Sequence, residues 1–280
     1  MTMRKIGILY ICTGPYARLF EDFYITFKQH FLTGKAEFVF YVWTDSDLIK
    51  ETDDVKLYPH SYAGYPWDTL LRFEMFLEAK NDFEGCDYLY FFNANALFLE
   101  DIGEEILPIT DDELVAMNWH IYNNISFLQP YEMDKKSVAY IPPFTPPYRY
   151  YSGQFNGGTK KQFVDLIETC AKDVRKDMEN GLLAKSLDQD YLNHYLHYHK
   201  CRDFPADYMM PQEWVKPNQH PKIVFRTKDN KVYNKPIVKK SLFNILKGKL
   251  IHIRNIVCWN LRISVKSPMS VYLQNNNANS

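Results

Sequence analysis

The chain opens on an apolar run, Lys5 to Thr13, that stops at Gly14-Pro15 and gives way to a different period. From Leu19 to Phe31, Phe20, Phe23, Tyr24, Phe27 and Phe31 recur at helical spacing, and Glu37 to Trp43 is again a strand-like run, closing at Thr44-Asp45. A strand period that becomes a helix period and returns predicts a β-α-β start. Trp67 to Lys80, with Leu70, Leu71, Phe73, Met75, Phe76 and Leu77, predicts a further helix with Asp68 as its cap, and Tyr88 to Phe92 a buried strand. Strands alternating with helices bury their apolar faces in a mostly parallel sheet covered on both sides, an α/β fold whose ligands collect beyond the carboxyl ends of the strands. Asn93-Ala94-Asn95 stands at one such end.

Farther on, Ile141 to Tyr151 is rich in proline and tyrosine and predicts an active-site loop, which Gly157-Gly158 is expected to end. Lys160 to Asn180 reads as a helix with Phe163, Leu166, Ile167 and Cys170 on one face and Gly181 at its close, and Asp188 to Tyr198 as another. With 46% hydrophobic residues, 21 Tyr and 19 Phe, the chain has the means to bury a core, which excludes a disordered protein. The cysteines, Cys12, Cys86, Cys170, Cys201 and Cys258, are scattered without a CxxC pair, which argues against zinc or redox chemistry and fits a reducing compartment. No apolar stretch reaches the roughly 18 to 20 residues of a membrane span, and the start reads as a first strand, so a cytoplasmic protein is expected. Residues 221–280 hold twelve Lys or Arg and one acid, Asp229, a charge of +11; subtracting it from the formal −1 leaves −12 for residues 1–220. An acidic body with a basic arm calls for an anionic partner.

Five blocks carry a resemblance. They are Tyr10-Ile-Cys-Thr-Gly-Pro-Tyr16, Pro66-Trp-Asp-Thr-Leu-Leu-Arg-Phe73, Tyr88-Leu-Tyr-Phe-Phe-Asn-Ala-Asn-Ala-Leu-Phe98, Tyr150-Tyr-Ser-Gly-Gln-Phe-Asn-Gly-Gly158 and Leu187-Asp-Gln-Asp-Tyr-Leu-Asn-His-Tyr195. In this order they resemble glycosyltransferase family 6, which contains the ABO blood-group transferases and their bacterial counterparts. The resemblance implies a single GT-A type catalytic domain over residues 1–228, with a nucleotide-sugar-binding half to about 117, an acceptor-binding half from 118, and a basic tail at 229–280. It implies retaining transfer of galactose or N-acetylgalactosamine from the UDP-sugar, in α1,3 linkage, to an oligosaccharide or lipid-linked glycan. Tyr10, Cys12 and Tyr16 correspond to the uridine-contacting segment, and Arg72 to the arginine facing the diphosphate.

The chain departs from the mammalian pattern in places that matter. There the metal motif is Asp-x-Asp; here it is Asn93-Ala94-Asn95, as in the bacterial branch, so no divalent metal and no other cofactor is expected. Arg72, with Arg226 and Lys228, is expected to stabilise the departing UDP instead. Asp45-Ser46-Asp47 is a literal Asp-x-Asp, read as a polar strand end. The family's catalytic glutamate is Gln189, which cannot act as a carboxylate nucleophile. Three readings stay open: front-face transfer with Gln189 only positioning the sugar, a negative charge from Asp188 or Asp190, or a catalytically impaired homologue that binds nucleotide sugar or glycan. Ser152, Gly153 and Gln154 correspond to residues beside the donor's C2 substituent, and the bulk of Gln154 leans towards galactose. Trp119, His120 and Tyr122 correspond to the acceptor side, and Lys239 to Arg262 has the composition either of a helix lying on an anionic, inner-membrane surface or of a basic segment packing over the acidic body. No nucleic-acid partner is expected.

Overall fold

Strands β1 (Arg4–Ile11), β2 (Ala36–Thr44) and β3 (Val55–Pro59) run parallel to one another, and β4 (Tyr88–Phe92) joins them on the far side of β1. The computed structural model describes residues 3–123, 125–228 and 242–270; residues 229–241 of the basic tail, the Asn-rich end and the first two residues lie outside the described residues. The remaining strands are β5 (Ala96–Phe98), β6 (Leu114–Asn118), β7 (Tyr151–Thr159), β8 (Cys201–Phe204), β9 (Met210–Pro211) and β10 (Ile223–Phe225). The main sheet has seven strands in the order β3-β2-β1-β4-β7-β6-β8, and β5, β10 and β9 form a second, small sheet. The α/β architecture expected from the alternating periods is present, a large mostly parallel sheet with helices on both faces in one compact domain, consistent with a GT-A-like fold.

Alternation along β1 distributes side chains between two cores. Ile6, Ile8 and Tyr10 face one side of the sheet, and Leu9 the other. On the first side helix α1 (Phe20–His30) lays Phe23, Phe27 and Phe31 against Phe40, Phe92 and Phe98, edge to face for the most part. On the second lie α2 (Trp67–Leu70), α3 (Arg72–Glu78), α4 (Lys160–Glu179) and α5 (Asp188–Tyr198). A last helix, α6 (Leu242–Asn260), packs through Trp259 against Tyr131, Met133, Ile141 and Tyr150.

Three expectations need correction. The predicted helix over Trp67 to Lys80 is broken at Leu71, where the backbone leaves helical geometry (φ −91°, ψ 8°). Asp68 is not its cap: the carboxylate instead takes N–H groups from Ala63 and Gly64 and the Thr13 hydroxyl, tying the preceding loop to the end of β1. Gly157-Gly158 does not end a loop. Both glycines lie inside β7, which runs antiparallel between β4 and β6, and a β carbon on Gly157 would strike the Tyr90 ring and sit 2.8 Å from the Leu89 carbonyl. Helix α4 is capped by the Thr159 hydroxyl and closed by Gly181 at φ +68°, and α5 has the predicted bounds.

Candidate active site

Because β7 is antiparallel, its first residues, Tyr151 to Gln154, arrive at the same edge of the sheet at which β1 and β4 end. The turn Asn93–Asn95 is held there from several sides. The Asn93 N–H donates to the Gln154 carbonyl (2.9 Å), the Tyr10 hydroxyl to the Ala94 carbonyl (2.8 Å), and the Asn95 side-chain amide to the Arg226 carbonyl (2.6 Å). The donor set does not fit a divalent ion. The turn offers no carboxylate, the Asn93 side-chain oxygen already accepts the Ala94 N–H, and Asn95 Oδ1 is a single buried, neutral acceptor without a hydrogen-bond partner.

The first turn of α5 meets this edge. Gln189 Oε1 accepts the Gly153 N–H (2.8 Å) while Gln189 Nε2 donates to the Tyr150 hydroxyl (2.7 Å), so both ends of the carboxamide are engaged. Asp188 Oδ2 lies 2.8 Å from Arg72 Nη2, and Arg72 Nη1 donates to the Gly153 carbonyl. Both members of this ion pair are buried, and the guanidinium rests on the faces of Phe91 (4.6 Å) and Phe73 (5.0 Å). The contact with Asp188 is out of line for a hydrogen bond, which leaves Arg72 Nε and Nη2 as buried donors without acceptors. Gly153 is the hinge of the arrangement: a β carbon there would lie 3.2 Å from Asp188 Oδ2 and 3.3 Å from Gln189 Oε1. Leu187, just before the helix, holds φ at +55°, a strained conformation for a residue with a side chain, and aims the helix start at the cluster. Asn193 locks α5 to β7 by accepting the Tyr151 N–H and donating to the Tyr151 carbonyl.

Burial sets the electrostatics. It pushes the Asp188 carboxyl up to about 6, against the lowering influence of Arg72, and Asp190 also up to about 6. The same burial lowers the pKa of Arg72, with Asp188 opposing it. Asp190 is buried one residue beyond Gln189. It accepts the Ser186 N–H (2.6 Å) and shares a buried polar region with Glu132, which burial and the Asp190 charge push up to about 7.

The residues singled out in the sequence fall into three groups. Asp188, Gln189, Arg72, Ser152, Gly153, Gln154, Asn93 and Asn95 come together, and of these Asn93, Gln154 and Gln189 reach solvent. Tyr10 and Cys12 are wholly buried in the wall behind the turn; the Cys12 N–H and carbonyl are bonded to Trp43 and Thr44, and burial pushes its thiol up to about 12. Tyr16 lies at the rim under Lys228, whose ammonium is 4.7 Å from the ring. Arg226 pairs with Asp22 (2.6 Å). Of the residues expected on the acceptor side, Trp119 is half-buried against Trp214, Tyr122 stands edge-on to Tyr150, and His120 is exposed. Asp45 is a clasp between two loops, accepting the Gly14 and Tyr62 N–H groups. Asp188 and Asp190 are both buried. The sequence reading missed the hydroxyl of Tyr150 and the Glu132–Lys185 contact, because partners 39 and 53 residues apart leave no local signal.

Residues 2–235 match the family model described as Glycosyltransferase family 6. The chain is 34% identical over 229 residues to the O-antigen biosynthesis glycosyltransferase WbnI of Escherichia coli, covering 80% of this chain and 95% of that protein. It is 27% identical over 237 residues to the globoside alpha-1,3-N-acetylgalactosaminyltransferase 1 of Gallus gallus, covering 80% of this chain and 67% of that protein. Against the histo-blood group ABO system transferase 1 of Rattus norvegicus it is 30% identical over 205 residues, 70% of this chain and 57% of the rat protein.

Proposed function

Because the chain belongs to glycosyltransferase family 6, we propose that it moves galactose from UDP-galactose to an oligosaccharide or lipid-linked glycan, in α1,3 linkage, with retention and without a divalent ion. The observation that carries this reading is the double engagement of the Gln189 carboxamide beside the buried Asp188–Arg72 pair. Gln189 supplies no nucleophile, so the acceptor hydroxyl attacks the anomeric carbon on the face that UDP leaves. The bond from that carbon to the β-phosphate oxygen breaks as the new glycosidic bond forms, and the acceptor's proton passes to the departing phosphate. Asp188 supplies negative charge near the oxocarbenium-like centre, and the unspent N–H directions of Arg72 take donor oxygens. Lys228, over the Tyr16 ring, and Arg226, beside the Asn95 carbonyl, are the cations whose charge offsets that of the leaving group in this reading. Gln154 reaches solvent beside Asn93, and its bulk favours galactose over the N-acetylgalactosamine named for the chicken relative.

UDP release from each donor, measured with a fucosylated lactose-type acceptor or water, with and without EDTA, tests the reading. Turnover that resists EDTA and prefers UDP-galactose is expected. Loss of turnover in EDTA overturns metal independence, and preference for UDP-N-acetylgalactosamine overturns the role given to Gln154. A second reading rests on the same Gln189: a homologue that binds nucleotide sugar without transferring it. UDP binding without turnover, restored by Gln189→Glu, establishes that reading in place of the first.

A further inference from the structure

We propose that α6 is an interfacial anchor that lies on an anionic phospholipid bilayer. Only the C-terminal end of the helix packs on the protein: residues 245–254 are exposed all round, whereas Trp259 is buried, donates to the Ile141 carbonyl (3.0 Å) and packs edge-on against Tyr131. Its exposed length carries an apolar stripe. Leu246, Leu250, Ile253 and Val257 are each more than half exposed, and their 4-3-4 spacing places them within an arc of about 60° at 100° per residue. Ile256 and Trp259, which pack on the body, fall roughly 90° and 150° from the centre of that arc, so the stripe is turned off the packed side and stays uncovered.

The residues beside the stripe identify what covers it. Lys249 borders one edge, Lys247 and Arg254 the other, and no Asp or Glu occurs between residues 242 and 270. A second copy packed stripe to stripe would bring these like charges together, whereas an anionic surface satisfies both edges at once. The rest of the molecule carries the opposite sign, −12 over residues 1–220, which turns this face towards negative lipid and the remainder away from it. Among the described residues no helix is long and apolar enough to cross a membrane, so the helix lies on the surface. Asn260 donates to the Phe127 carbonyl (3.0 Å), and Phe127 and Leu128 continue the exposed apolar surface towards Trp119 and Tyr122. That the bilayer therefore borders the acceptor side rests on the proposed function; the docking itself does not.

Co-sedimentation of the full chain with vesicles of phosphatidylcholine alone, or of phosphatidylcholine with phosphatidylglycerol, reads partition without reference to catalysis. Partition onto the anionic vesicles is expected to exceed that onto neutral ones by about tenfold or more, to weaken in high salt, and to be lost in Leu250→Glu/Ile253→Glu. The exposed positions of these residues leave the fold unchanged, which circular dichroism checks, and Lys247→Glu/Lys249→Glu should lose the anionic preference on its own. Equal partition onto both vesicles, or none, overturns the proposal. So does a dimer in sedimentation equilibrium that Leu250→Glu dissolves without any vesicle binding.

Discussion

The Gln189 carboxamide donates at one end to Tyr150, just before β7, and accepts at the other from Gly153 within it. A glutamate there could still accept the Gly153 N–H, but it could no longer donate to Tyr150 and would add charge beside two buried carboxyls. Gln189→Glu is therefore expected to leave kcat within about fivefold, while Asp188→Asn lowers it by about 100-fold; steady-state UDP release with both variants checks this pair. The pH dependence has a definite sign. Asp188 and Asp190 are raised to about 6 from 3.8, so the folded state takes up protons more readily than the unfolded chain, and their ionisation destabilises the fold as pH rises from about 4 through about 6. Thermal unfolding across that window should show the wild type losing stability relative to Asp190→Asn, and the reverse slope contradicts the assignment. Activity should move the other way, falling as pH drops below about 6 and Asp188 loses its charge. At this scale the sequence disclosed which residues gather, because Arg72, the Asn turn and Asp188 stand in ordered blocks. It did not disclose that Arg72 would be buried in an ion pair with Asp188, with one N–H given to the Gly153 carbonyl and two left unspent, since burial and pairing depend on segments distant in the chain.

Among the elements, β7 decides the most. Period and composition revealed β1, α1, β2 and α5, whose side chains answer to the sheet or helix they belong to. They failed at β7 because its glycines, read locally, signal a turn. In the fold they are small because Tyr90 and Leu114 lie across them. Replacing Gly157 by Ala should cost about 1–3 kcal/mol in chemical denaturation, since the buried Tyr90 ring has no room to retreat. An unchanged midpoint would mean that the sheet opens there more easily than its packing suggests. Helices α2 and α3 failed for a related reason: the apolar spacing is continuous, and only the demand of Ala63, Gly64 and Thr13 on Asp68 shows how tightly the loop is drawn in.

For the molecule as a whole, the central sheet is completed out of chain order. β4 pairs on one side with β1 and on the other with β7, which follows more than fifty residues later. A fragment of residues 1–150 should therefore expose β4 as an apolar edge and form soluble aggregates in size-exclusion chromatography; a well-behaved monomer would show that the first four strands need no cover. The same order governs the protein as it leaves the ribosome. Strands β1 to β4 emerge first and wait with an open seam until β7 arrives to close it, bringing Ser152 to Gln154 into the site in the same movement. Competence to bind a donor sugar is in this way tied to the moment at which the unfinished chain ceases to be a partner for other unfinished chains.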